Sequence, residues 1–383
     1  MRKIFIVFLV LLTISIIISG CAEPYEVETP DTPTSTPKPT STPKVTHTVN
    51  PEQLLSAPSW TWSSRIRIKE VDMSDDGNYI AGLSTQKVIV KTPTKNLLAN
   101  LVWNSANHIS VSSDGSYIAV GDDDFFKLYD NDGGELYSYN TQGIINHLGL
   151  LENGVVIQGG EKTPQLNAVD RNGNEVWSWN PGISTAKVLD FDYSADGENI
   201  LVGTQDDRVY YLSSNGRYIW FKDVSGEIED IEMSDDGERL YVLTDDNTIH
   251  SFDKYGNQNW EKELDVNTVD IEISKYGDYI LTKPFNEAKS YSFKHKVYLL
   301  DNNGNVKWMK QMGTDVGVFG ISKDAKYVVI SEDQDLRMYD LAGDQQASYH
   351  LESQYGSFFV SIGMTPNAGK LALGTTNSLL VFG

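Results

Sequence analysis

Hydrophobic residues fall in short alternating runs along most of this chain, each run broken by a turn bearing Gly or Asp. Eight segments share one form. MSDDGNYIAGLS (73–84), VSSDGSYIAVGD (111–122), LLENGVVIQGG (150–160) and YSADGENILVGT (193–204) are the first four. MSDDGERLYVLT (233–244), ISKYGDYILTK (273–283), ISKDAKYVVIS (321–331) and MTPNAGKLALGT (364–375) follow. The shared turn position falls at Gly77, Gly115, Gly154, Gly197, Gly237, Gly277, Ala325 and Ala368. The intervals between them average about 42 residues, the length of a four-stranded propeller blade. Period-two alternation without a helical period predicts an all-β chain: an eight-bladed β-propeller of four-stranded antiparallel blades.

Each repeat reads as four strands, A to D. Strand A ends at the Ser-x-Asp-Gly turn, where Gly supplies a positive φ, and strand B follows it. A polar loop leads to strand C, and a second Gly turn opens strand D. Gly133, Gly173, Gly216, Gly256 and Gly304 each precede an aromatic by four residues: Tyr137, Trp177, Trp220, Trp260 and Trp308. A large aromatic recurring on the outer strand implies packing between blades. The last repeat supplies only strands A, B and C, while Trp60-Thr61-Trp62 repeats the form of Trp177-Ser178-Trp179. Residues 58–64 are therefore expected to complete the last blade and close the ring.

The runs NAVDRNGNEVWSWN (167–180), HSFDKYGNQNWEKE (250–263) and YLLDNNGNVKWMKQ (298–311) resemble the Asp-x-x-Gly-x-x-x-Trp repeats of PQQ-like propellers. The SxDGxYIAxG turns are similar to WD40-like prokaryotic repeats. The resemblance spans 58–383 and implies a fold; it does not imply one role, because this architecture hosts many.

The first fifty residues break the pattern. Arg2-Lys3 precede an apolar run from Ile4 to Ile18 and then Ser19-Gly20-Cys21, the layout of a signal peptide. Ile18-Ser19-Gly20-Cys21 resembles the lipobox of bacterial and archaeal lipoproteins, which implies cleavage after residue 20 and lipid on Cys21, the chain's one cysteine. In residues 24–50, Pro, Thr and Ser fill 16 of 27 positions, too little apolar surface to fold. The expected domains are a signal peptide (1–20), a disordered stalk (21–57) and the propeller (58–383). The expected location is the extracytoplasmic face of a membrane, with the lipid at Cys21 as the membrane contact.

Charge sharpens the picture of the body. The formal net charge is −22. Residues 1–50 hold four basic and four acidic side chains, so the whole excess lies beyond them. That balance excludes unaided nucleic-acid binding, which depends on Lys and Arg neutralising phosphates. Counting back seven residues from each turn position gives Glu70, His108, His147, Asp190, Asp230 and Asp270 in the first six repeats. Counting back five gives acids at Asp72, Asp192, Glu232 and Glu272. Strand A is innermost in a propeller, so these side chains are expected to line the central channel. They are chemically suited to a hard cation such as Ca²⁺ or a cationic ligand; alternatively they bond to neighbouring segments around a water-filled channel. The B–C loops are also acidic and would attract a basic partner surface. Repeat six departs with PFNEAKSYSFKHK (284–296), carrying Lys289, Lys294, His295 and Lys296, an insertion that is either a binding element or a neutral expansion.

No P-loop, GxSxG or HExxH motif is present. The vicinal cysteine pair of PQQ-dependent dehydrogenases is missing, which argues against the quinone cofactor. The expected function is non-catalytic binding of a cell-envelope or extracellular protein or glycan. The alternative is an extracytoplasmic enzyme, quinoprotein-like or hydrolytic, that uses the acidic channel.

Overall fold

The computed structural model describes residues 49–63, 66–93, 99–102 (backbone only), 106–141, 143–161, 165–182, 186–286 and 295–383. Eight separate four-stranded antiparallel sheets follow one another along the chain. The first strands of the eight are Ile68–Met73, His108–Val111, Ile145–Leu150, Val188–Tyr193, Ile228–Met233, Thr268–Ile273, Val316–Ile321 and Phe359–Met364. Each of these touches the first strand of the blade before and the blade after, and the eighth touches the first. They are the inner wall of a closed ring, as the repeat count predicts.

Closure uses the two ends of the body. Trp60–Ser63 pairs antiparallel with Ser378–Phe382, in the register Trp60↔Val381 to Ser63↔Ser378. The Ser63 and Ser378 hydroxyls meet at 2.9 Å, and Ser59 N–H donates to Val381 O at 2.7 Å. The ordered body also starts before residue 58. Asn50 caps a helical turn, Pro51–Leu54, that rests on the outer strand of blade 7, Gln345–His350, with Leu54 and Leu55 buried beside Tyr349 and Phe382. Residues 49–57 thus pack on the propeller rather than extending the stalk. The expected signal peptide, Cys21 and the rest of the expected stalk lie outside the described residues.

The Ser-x-Asp-Gly turns have a common construction. In blade 1 the Ser74 hydroxyl donates to Asp76 Oδ1 (2.8 Å) and accepts from Tyr79 N–H (3.1 Å), while Gly77 adopts φ +64°. Adjacent turns are tied by backbone bonds: Ala195 N–H to Asp235 O, Asp235 N–H to Lys275 O and Lys275 N–H to Lys323 O, at 2.8–3.0 Å. These bonds satisfy turn amides that would otherwise compete for water.

The outer Asp-x-x-Gly-x-x-x-Trp repeat is explained by contacts between blades. Asp253 Oδ1 accepts N–H groups from Tyr255 and Asn257, shaping a turn in which Gly256 takes φ +80°. A Cβ on Gly256 would stand 3.0 Å from the Trp220 ring of the preceding blade, and one on Gly304 would stand 3.1 Å from Trp260. Both indoles donate Nε1–H to the turn they cover, Trp220 to Lys254 O and Trp260 to Asn302 O, each at 2.8 Å. The aromatic of one blade therefore sits on the glycine of the next, the packing role the spacing predicts.

Candidate functional site in the central channel

Seven of the eight inner strands contain a β-bulge near their start, for example between Ile68 and Glu70, Val188 and Asp190, and Ile228 and Asp230. Simple alternation would turn Ile68 and Glu70 to the same side. The bulge instead lets Ile68 and Val71 both enter the apolar layer between blades, while Glu70 faces inward. The same device serves His147, Asp190, Asp230 and Asp270.

The inward acids are half-buried, and most accept backbone N–H groups from the next blade. Glu70 Oε2 accepts from Ile109 (3.2 Å) and Asp72 Oδ2 from Val111 (2.7 Å). Asp190 Oδ2 accepts from Ile231 (3.3 Å), Asp192 Oδ2 from Met233 (2.7 Å) and Asp230 Oδ2 from Ile271 (2.7 Å). Ser361 completes the series, its hydroxyl accepting from Val71 at 2.9 Å across the closing seam. An inner strand has no partner strand on its channel side, so its outward N–H groups need acceptors. The preceding blade supplies them.

The two histidines part company. His147 Nδ1 pairs with Asp190 Oδ1 at 2.8 Å, whereas His108 donates through Nε2 to Ile145 O at 3.1 Å. Desolvation works against charge on His147, yet the Asp190 carboxylate outweighs it and raises the pKa; burial lowers that of His108. The carboxyls shift upward. Burial is the first cause throughout, moving Asp72 and Asp192 to about 6, Glu70 to about 7 with help from the charge of Asp72, and Glu272 to about 8 with help from Asp270. Asp230 and Glu232 rise well above the usual range through burial and the acids on either side. Asp190 alone among these acids is lowered, because His147 overcomes its desolvation.

A family model described as outer membrane protein assembly factor BamB matches residues 162–318. The crystal structure of the computationally designed Ika8 protein is similar with TM-score 0.67 and 14% identity, covering 86% of this chain and 99% of that one. The C-terminal WD40 domain of Sif2 is similar with TM-score 0.67 and 14% identity, covering 88% of this chain and 99% of that one. The chain is an eight-bladed β-propeller related to the PQQ-like and WD40-like folds. No curated protein matches it.

Three further groups belong to the propeller's channel. Tyr193 OH accepts Leu150 N–H at 3.1 Å, and Lys283 Nζ stands 3.6 Å from Asp270 Oδ2. Lys323, in the turn of blade 7, pairs with Asp235 at 3.0 Å and helps line a cavity of about 250 Å³ with Asp72, Glu232 and Glu272. Lys323 stands two residues before the turn position, outside the strand alternation that located the acids. Among the described residues, no group of three or more His, Cys, Asp or Glu side chains is disposed to hold a metal ion.

The outer loops spend much of their charge locally. Asp206 pairs with Arg208 at 2.9 Å, Glu161 with Lys187 at 2.7 Å, and Glu332 with Arg337. Of the blade 6 insertion, Lys289 and Lys294 lie outside the described residues. His295 and Lys296 open the third strand of the blade, His295–Asp301, instead of standing free in a loop. Lys296 is bonded to Asp265, and the His295 side chain is 10% exposed with Nε2 3.8 Å from Asp315. No helix among the described residues is long and apolar enough to cross a membrane.

Proposed function

We propose that this protein is a lipid-anchored, extracytoplasmic propeller that binds a protein, glycan or other cell-envelope partner and performs no catalysis. The observation that carries this reading is the use of the channel acids. Five of them accept backbone N–H groups across seams between blades, so they serve the ring and leave its outer faces for recognition. The lipobox-like Ile18-Ser19-Gly20-Cys21 and the Pro/Thr/Ser stalk support a tether that lets the body swing near a membrane. The partial match to a family described as an outer membrane assembly factor supports an envelope partner. The acidic body supports a partner with a basic surface and no affinity for nucleic acid.

The test is made in the native cell. Full-length protein should take up labelled fatty acid and sediment with membranes, and Cys21→Ser should lose both properties. A Cys21→Ser protein that keeps label and sediments unchanged would overturn the anchor. A quinone absorbance band or calcium-dependent turnover by the purified protein would overturn the non-catalytic reading.

A further inference from the structure

The acids of blades 4, 5 and 6 form two rows across adjacent inner strands. In the upper row Asp230 stands between Asp190 and Asp270: Asp190 Oδ2 holds the N–H of Ile231, next to Asp230, and Asp230 Oδ2 holds the N–H of Ile271, next to Asp270. Carboxylates crowded side by side repel one another, and a proton on the middle one relieves that repulsion. The row's cations stand at its ends, His147 on Asp190 at 2.8 Å and Lys283 on Asp270 at 3.6 Å. In the lower row, Asp192 holds the Tyr193 and Met233 N–H groups, and Glu272 lines the cavity together with Glu232. Glu232 lies between them, facing Asp192, Glu272, Asp190 and Asp270. Asp230 faces Asp190, Asp270 and Glu232. Lys323 acts on Asp192 and Glu272 from the cavity side. Both middle positions belong to blade 5, and neither Asp230 nor Glu232 forms an ion pair with another described residue, whereas Asp190 and Asp270 do.

We propose that blade 5 is a proton-gated segment of the ring: protons on Asp230 and Glu232 hold its inner strand against blades 4 and 6, and their loss parts those two seams beside the cavity. Ionisation places like charges side by side on both seams. The same seams are held by bonds from Asp190, Asp192 and Asp230 to the next strand's N–H groups, so repulsion acts where the blades are joined. The upward shifts of both middle groups agree with this arrangement. Blade 8 provides the contrast, since it has Ser361 and Gly363 at the equivalent positions.

Hydrogen exchange of the full-length protein tests the gate, read by segment after correction for intrinsic rates, at about pH 5 and about pH 9. Strands 228–233 and 268–273 should lose at least about tenfold protection at the higher pH, while 359–364 does not. In the Asp230→Asn/Glu232→Gln double variant, protection should be equal at both values; the amide oxygen that Asp230→Asn introduces still accepts from Ile271 N–H. Unchanged protection of 228–233 in the wild type overturns the proposal. So does an equal loss in 359–364, or a double variant that retains the wild-type response. Should the double variant fail to fold, Glu232→Gln alone must shrink the loss, and an undiminished loss overturns the gate.

Discussion

His147 Nδ1 stands 2.8 Å from Asp190 Oδ1, joining the inner strands of blades 3 and 4 by an ion pair. The His147 pKa is raised and the Asp190 pKa lowered, each by the other against its own desolvation. For a histidine with a raised folded pKa, the contribution is complete below the unfolded value and fades as pH rises through the folded one. For the lowered aspartate it is lost as pH falls through the folded value. His147→Ala should therefore cost up to about 1 kcal/mol near pH 6, a modest figure because 45% of the His147 side chain meets solvent. In urea titrations the stability difference between the two proteins should shrink as pH rises through the raised His147 value, leaving the part due to the contact of the ring with Phe191.

Asp192 offers a stronger test of the seam acceptors. Its two oxygens hold Tyr193 N–H and Met233 N–H, both at 2.7 Å. Asp192→Ala leaves two amides without their acceptor and should cost about 1–3 kcal/mol per group left dry. Asp192→Asn keeps one acceptor and should cost less than Ala. Equal losses in chemical denaturation would show that the amides are satisfied by water.

The repeat, the strand order and the closing strand were legible because each rests on a local signal. Ser-x-Asp-Gly fixes a turn within six residues, and the Gly256-to-Trp260 spacing lies within one hairpin. The inward direction of Asp190 and Asp230 was also legible from alternation. Their partners were not, since Ile231 and Ile271 lie 41 residues further on and belong to another blade. The bulge before Asp190 was not legible either: alternation would turn Val188 to the channel side with Asp190, and only its full burial shows that the strand bulges between them. Residues Pro51–Leu54 were hidden by the stalk composition around them; Leu54 and Leu55 become informative only once blade 7 is in place to cover them.

Ala325 occupies the turn position that six other blades fill with Gly at φ +64° to +79°, and it takes φ +53°. A side chain in that region is strained by about 1–2 kcal/mol, while Gly costs extra entropy in the unfolded chain. Ala325→Gly should stabilise the protein by about 0.5–1 kcal/mol. Ala368, with φ +54°, is fully buried in the core, so the same change there should gain less. Thermal melts of the two variants distinguish these outcomes.

Ring closure depends on a four-residue strand. Trp60–Ser63 covers the outer edge of Ser378–Phe382, and Trp60 and Trp62 pack against a cluster that contains Ile68 and Val71 of blade 1 and Leu379 and Val381 of blade 8. Deleting residues 58–64 removes this pairing and uncovers apolar surface on both sides of the seam. It also leaves a buried-type strand with a free edge, a template for pairing with another chain. Blade 8 holds blade 1 through the bond from Val71 N–H to Ser361, so damage at this seam reaches the inner wall. The deletion should lower stability by more than about 4 kcal/mol, beyond the range of ordinary point changes, and promote self-association. Circular dichroism melts with sizing chromatography read both effects, and unchanged cooperative unfolding of a monomer would refute closure by this strand.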